Sequence, residues 1–176
     1  MQMPGVSIRP VSQDDAGQIA AIYAPYVLHG TATFDIEAPK PEQWQDKIAH
    51  ILARGWPFIV AADEAGSVIG YAYATQFRDK AAFAHSCENS IYLRGDATGQ
   101  GIGRALLTAL MNAAAASGFT QMIAVITSNE APSLALHTKL GFRNVGLVEK
   151  VGYKFGQWLD TVYMQRALPD SDRATD

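Results

Sequence analysis

Cysteine is nearly absent: one, Cys87, occurs in 176 residues. A lone thiol makes no intrachain disulfide, so the fold rests on its core, and a reducing compartment is expected. Long apolar runs are missing as well. No stretch reaches the about 18 apolar residues that a membrane-spanning helix needs. The opening MQMPGVSIRP lacks a charged segment followed by an apolar one, so no secretory leader is read. The expected location is cytoplasmic, with no membrane partner. An excess of basic charge is also lacking. Fourteen Lys and Arg oppose seventeen Asp and Glu, a formal net charge of −3, which disfavours nucleic acid as a partner. Any anion must then be held by a local arrangement. No metal-ligand set is read, and neither a linker nor an internal repeat divides the chain. One domain over residues 4–168 with a polar tail at 169–176 is expected.

What is present is apolar mass, 48% of residues, enough for a packed core. VSIRPV reads as a strand. Ser12 and Asp15 have capping-box spacing before a helix whose apolar face holds Ile19, Ile22 and Tyr23, and Pro25 is expected to end or kink it. TATFDIEAPKPEQ is loop-like. PEQWQDKIAHILARG reads as a second helix, with Pro41 in its first turn and Gly55 past its end. PFIVAAD and SVIGYAYATQF flank the turn DEAG as a hairpin, and ENSIYL is the next strand. GRALLTALMNAAAASG carries a helical stripe of Leu106, Leu107, Leu110, Met111 and Ala114, stopped by Gly118. QMIAVIT reads as a strand buried on both faces. PSLALHTKLG is a short helix, and NVGLVEKVG and QWLDTVYMQRAL are two closing strands. The order β-α-α-β-β-β-α-β-α-β-β predicts an α/β (α+β) chain, a mixed sheet of about seven strands with helices on its faces.

Between ENSIYL and the third helix lie Gly99, Gly101 and Gly103 on alternate positions. A strand, a glycine-rich turn and a helix start make an anion site. The first helical turn has unpaired N–H groups and partial positive charge, and glycine lets a phosphate approach the backbone. Arg104 adds a full charge. A dinucleotide fingerprint would need a sixth-position glycine and a later acid, but Arg104 stands there and FTQMIAVIT carries no acid. A Walker loop would end in GK[ST], which does not occur. A tight turn without a ligand is the alternative.

The stretch GQGIGRALL, with a strand before it and QMIAVIT beyond, resembles the pyrophosphate loop of the GCN5-related N-acetyltransferase (GNAT) family. Gly101 and Gly103 match that pattern's small positions, and Thr98 stands where Gln or Arg is usual. GYAYATQFR, ENSIYL, AVITSNEAPSLALHTKLGF and GYKFGQWLD resemble, in the same order, the branch of phosphinothricin and methionine sulfoximine N-acetyltransferases. The resemblance implies a GNAT fold: a mixed, twisted sheet with helices on both faces and a splayed central strand pair. It implies acetyl-CoA as cosubstrate, with its pantetheine arm along Ile91, Tyr92 and Leu93 and its pyrophosphate on the N–H groups of Gly99, Gln100, Gly101, Ile102, Gly103 and Arg104. A family contact from an Asn falls here on Glu130, with Asn129 one residue earlier, and either is a candidate. The family commonly forms homodimers.

Acetyl transfer to an amine needs a proton acceptor for the ammonium, donors for the oxyanion, and a tolerated thiolate. Glu88, opening the expected strand, is the candidate base. Alternation puts Glu88, Ser90 and Tyr92 on one side and Asn89 and Ile91 on the other. The competing reading of Glu88 is a strand-end surface acid. His137 matches a position that carries His in this branch and is the candidate acid for the thiolate, or a packed histidine with no proton to transfer. The oxyanion is expected to meet a backbone N–H of IYL. Arg78, Asp79 and Lys80 match positions where basic residues of the branch meet acidic groups of the substrate, as suits an α-carboxylate; otherwise they are solvated loop charges. With Glu88, Ser90 and Phe34 they form the expected substrate site, and Phe77, Phe83 and Trp158 are candidate walls. The expected reaction moves an acetyl group to the α-amine of a small amino acid or analogue. A GNAT enzyme for another amine and a non-catalytic acyl-CoA-binding module are the alternatives.

Overall fold

Local chemistry fixes the ends of the elements. The structure, a computed structural model, describes residues 5–169. Strand β1 is Val6–Pro10 and helix α1 is Ala16–His29, entered through a short 3₁₀ turn. The Ser12/Asp15 capping box forms, and Arg9 grips the Asp15 carboxylate with both guanidinium nitrogens at 2.8 Å. That pairing holds the Asp15 carboxyl below its ordinary range. Pro25 does not end the helix, which runs on to His29. A proline removes one bond to the carbonyl four residues back. Pro25 and Ala21 both lie on the exposed face of the helix, where a lost backbone bond is least costly.

Helix α2 (Pro41–Ala53) begins on its proline, and β2 (Phe58–Asp63) and β3 (Val68–Gln76) form the hairpin. In its turn, Asp63 Oδ1 accepts from the N–H groups of Ala65 and Ser67, and Gly66 takes φ +83. Strand β4 is Ser86–Leu93, two residues longer at its start than expected, so Glu88 is its third residue. Helix α3 (Ile102–Ala116), β5 (Gln121–Thr127), α4 (Ala131–Lys139), β6 (Arg143–Lys154) and β7 (Gln157–Ala167) complete the described residues. Residues 170–176 of the expected tail lie outside them.

The seven strands form one sheet in the order β1-β2-β3-β4-β5-β7-β6, antiparallel except for β4 with β5. One face is covered by α1 and α2, through Ile19, Ile22, Tyr23, Trp44 and Ile48 against Phe58, Val60 and Tyr71. The other is covered by α3, through Leu106, Leu107 and Leu110 with Met122 and Phe119. β5 alternates instead of burying both faces: Met122, Ala124 and Ile126 are buried while Ile123 and Val125 are half-buried. Helices α1 and α2 lie over β2–β4, so the side of β5 that they would cover is only partly shielded.

β6 carries a bulge. Register steps from Val148↔Thr161 to Gly152↔Leu159, and Lys150 is held at φ 51 with its N–H on Asp160 Oδ1 at 2.7 Å. Just past the bulge, the Phe34 ring lies on Gly152 where any Cβ would stand, and Lys154 is buried with Nζ donating to Thr33 O at 2.8 Å. The α1–α2 loop is thereby seated on the β6–β7 hairpin. Gly152→Ala is expected to expel Phe34 at an overpacking cost of about 1–3 kcal/mol, read as a lower Tm and as faster proteolysis within residues 31–40.

Candidate active site

β4 and β5 pair only from Ser86↔Gln121 to Glu88↔Ile123, although both strands continue for several residues. Beyond Glu88 they part, and the sheet opens. The ladder decides which groups face the opening. Phe77 N–H bonds Ser86 O and Arg94 N–H bonds Ile69 O. Hydrogen-bonded residues alternate along an antiparallel pair. Ser86, Glu88, Ser90, Tyr92 and Arg94 therefore turn their amides to β3, while Ile91 and Leu93 turn theirs toward the departed β5. Leu93 O accepts from Tyr26 Oη at 2.6 Å. The remaining groups can receive an extended ligand with alternating amides, as a sheet edge receives a strand. Of the three residues expected to hold such an arm, the register directs Ile91 and Leu93 at the opening and Tyr92 at β3. The Tyr92 ring joins the opposite aromatic layer, 4.9 Å from Tyr23 and 5.1 Å from Tyr26.

Below the opening lies the glycine loop. Gly99 (φ +74) and Gly101 (φ +83) occupy the left-handed region, where a side chain is strained, and both are exposed. Gly101 caps α3 without any side-chain cap, so the first N–H groups of the helix, at Ile102, Gly103 and Arg104, remain for an anion. The Ile102 side chain is buried and that of Arg104 exposed. Gly103 has a different task. A Cβ there would touch Leu93 and Leu136 at 3.4 Å, so it lets α3 pack between the end of β4 and α4. Gln100 Nε2 donates to Asp96 O and Thr98 Oγ1 to Gly95 O, which shapes the loop from within.

Glu88 stands at the last β4–β5 pair, half-buried, and burial pushes its carboxyl above the ordinary carboxylate range, with the Arg78 guanidinium pulling against that shift. Its face of the sheet also carries Ser90 opposite Tyr73 and Tyr92 opposite Tyr71. Lys47 Nζ donates to Tyr73 Oη at 2.6 Å. Arg78, Asp79 and Lys80 follow β3 in an exposed loop that Gln76 Nε2 fastens through Arg78 O and Lys80 O. Arg78 lies over the Phe77 ring, which meets Phe83 edge-on at 6.2 Å. Phe34 sits on Gly152 of β6, and Trp158, 61% exposed, packs on Tyr153 of the same hairpin. Tyr23 ties the Phe34 loop to this side, its Oη bonding Thr33 Oγ1 at 2.6 Å and Asp35 Oδ2 at 2.7 Å.

His137 is 1% exposed, and burial holds its imidazole below the usual range. Glu130 Oε1 accepts from Thr31 Oγ1 at 2.7 Å, and Asn129 Oδ1 lies 3.2 Å from the same hydroxyl. Both side chains thus join the α1–α2 loop to the end of β5. Sequence reasoning missed Tyr26, Lys47 and Tyr73. Only Tyr73 carried a signal, as the second tyrosine on one face of GYAYATQ; Tyr26 meets Leu93 O and Lys47 meets Tyr73 Oη across the fold.

A family model described as an acetyltransferase (GNAT) domain matches residues 8–163. The chain is 41% identical over 167 residues to phosphinothricin N-acetyltransferase of Alcaligenes faecalis, covering 94% of this chain and 84% of the relative. It is 40% identical over 165 residues to L-methionine sulfoximine/L-methionine sulfone acetyltransferase of Pseudomonas aeruginosa, covering 92% and 94%. Among solved structures, a GNAT superfamily phosphinothricin acetyltransferase from Sinorhizobium meliloti in complex with AcCoA superposes with a TM-score of 0.93 at 42% identity, over 97% of this chain and 92% of that one. The protein yncA from Salmonella typhimurium with its cofactor acetyl-CoA gives a TM-score of 0.92 at 32% identity, covering 98% of both chains.

Proposed function

The chain belongs to the GNAT family of acetyltransferases, and on that premise we propose that it acetylates the α-amine of a small amino acid or analogue of the phosphinothricin, methionine sulfoximine or methionine sulfone type. It is an acetyl-CoA-dependent N-acetyltransferase. One observation carries the reading: a half-buried carboxylate raised by burial, Glu88, stands where β4 and β5 part and feels the Arg78 charge. When bound, acetyl-CoA supplies a thioester carbonyl open to attack by a neutral amine. The N–H groups of Ile91 and Leu93, which the β3 ladder leaves unpaired, suit its pantetheine arm, and the uncapped start of α3 behind Gly99 and Gly101 suits its pyrophosphate.

Glu88 takes the proton of the substrate ammonium, directly or through water, leaving the lone pair free. The Arg78 guanidinium receives the substrate carboxylate, with Lys80 as a second charge. Ser90 and Tyr73 line the adjoining face. Since Glu88 must be ionised to accept the proton, kcat/KM rises with pH through the Glu88 titration, which burial places above the ordinary carboxylate range. A flat profile would count against this base. Thiol release from acetyl-CoA, measured against methionine sulfone, methionine sulfoximine, phosphinothricin, ordinary amino acids, polyamines and peptides, tests the reading. Turnover confined to peptides or polyamines would reject the amino-acid acceptor, and CoA binding without turnover of any amine would reject catalysis.

The same reading includes a homodimer. Leu147, Val151, Tyr153, Phe155 and Trp158 expose apolar surface on the β6–β7 hairpin, and β6 is an edge strand. Light scattering is expected to give twice the chain mass, and Tyr153→Glu with Trp158→Glu to halve it. A wild-type chain that elutes as a monomer would remove the dimer. A cytoplasmic location completes the reading, in keeping with a chain that has one cysteine and builds no intrachain disulfide.

A further inference from the structure

His137 is a buried titratable group for which the proposed proton transfer has no use, and its partners form a line across the fold. Its Nδ1 lies 2.8 Å from Ser133 O within α4, and its Nε2 lies 3.1 Å from Asn89 Oδ1 on β4. Asn89 Nδ2 in turn donates to Ile123 O on β5 at 3.3 Å. The ring is sealed edge-on by Phe142 at 4.9 Å, and Asn89 is buried as well. The location is specific. Glu88↔Ile123 is the last β4–β5 pair, and Asn89 is the next residue of β4. Its amide reaches the carbonyl of the last β5 residue in that pairing.

We propose that Asn89 and His137 form a positioning clamp at the point where β4 and β5 part. Helix α4 holds β4 through the imidazole, and β4 holds β5 through the amide. The opening beyond keeps its width, and the amides of Ile91 and Leu93 stay presented to the cosubstrate. A neutral ring carries one N–H: with it on Nε2, donated to Asn89 Oδ1, Nδ1 is turned into α4 toward Ser133 O, and neither nitrogen is left for a departing sulfur. His137 then acts through Asn89 rather than on the reacting atoms. The clamp rests on the assignment of the Ile91–Leu93 edge to acetyl-CoA.

The test uses the full chain with Asn89→Leu, His137→Phe, the double variant and His137→Gln, whose amide can still reach Asn89. CoA affinity is read by calorimetry, and kcat and KM by thiol release. Each single variant is expected to weaken CoA binding and raise the acetyl-CoA KM by about five- to tenfold, the worth of one buried hydrogen bond, with a smaller change in kcat. The double variant is expected to be no worse than the worse single one, and His137→Gln to recover most of the affinity. Two results overturn the clamp. One is a loss of kcat of about a hundredfold in both His137 variants with CoA affinity intact, the mark of a proton donor. The other is unchanged CoA affinity in Asn89→Leu. Wild-type turnover is the control: if wild type binds CoA but acetylates no amine, the acetyl-transfer reading falls, and the titrations still decide the clamp.

Discussion

Replacing Glu88 by Gln is expected to lower kcat by about 10²- to 10⁴-fold, the usual contribution of a general base. CoA affinity should hold, because neither the N–H groups of Ile91 and Leu93 nor the uncapped start of α3 relies on the carboxylate. The same substitution has a second, opposite signature in stability. Burial raises the Glu88 carboxyl above its unfolded value. A group of this kind keeps its proton longer when folded, so the folded state loses stability as pH climbs from the unfolded pKa through the folded one. Glutamine has no proton to lose. Tm measured against pH should therefore fall less steeply for Glu88→Gln than for wild type across that window, and the variant should melt no lower than wild type at neutral pH. A variant that keeps wild-type kcat removes Glu88 as the base. One that loses kcat together with Tm points to a structural defect instead.

Arg78→Met should raise the KM for an amino-acid acceptor by about 10- to 100-fold, the value of a charge-assisted contact with a carboxylate, with the acetyl-CoA KM unchanged. Methionine keeps the apolar stem over the Phe77 ring, where the guanidinium now lies, so the change isolates the charge. Arg78 also pulls the Glu88 carboxyl down. Without it the ascending limb of kcat/KM should move to higher pH, a shift that simple loss of substrate contact would not produce. Arg78→Lys restores a point charge without the paired donors and should recover part of both effects. Unchanged acceptor KM in Arg78→Met would return Arg78 to the role of a solvated loop charge.

Local sequence chemistry determined a great deal. The capping box of Ser12 and Asp15, the Asp63–Gly66 turn and the helical stripe from Leu106 to Ala114 each depend on residues within a few positions of one another. The element order could therefore be read directly, and with it the mixed sheet. The glycine turn before α3 was legible because alternate glycines mark a strand-to-helix turn, whereas Glu88 stood out as a candidate only through the family resemblance. Tertiary structure alone decided the rest. That the helix continues past Pro25 depends on that proline falling on the exposed face of α1. The half-covered β5 depends on where α1 and α2 lie. Which of Ile91, Tyr92 and Leu93 faces the opening depends on the phase of the β3 ladder, which one residue of slip would reverse. His137 in PSLALHTKLGF carries no sign of Asn89, 48 residues earlier, or of Ile123 beyond it. The raised Glu88 carboxyl is likewise a property of its burial. Periodicity and caps record the neighbours of a residue along the chain, whereas dielectric, register and long-range hydrogen bonds arise only when distant segments meet.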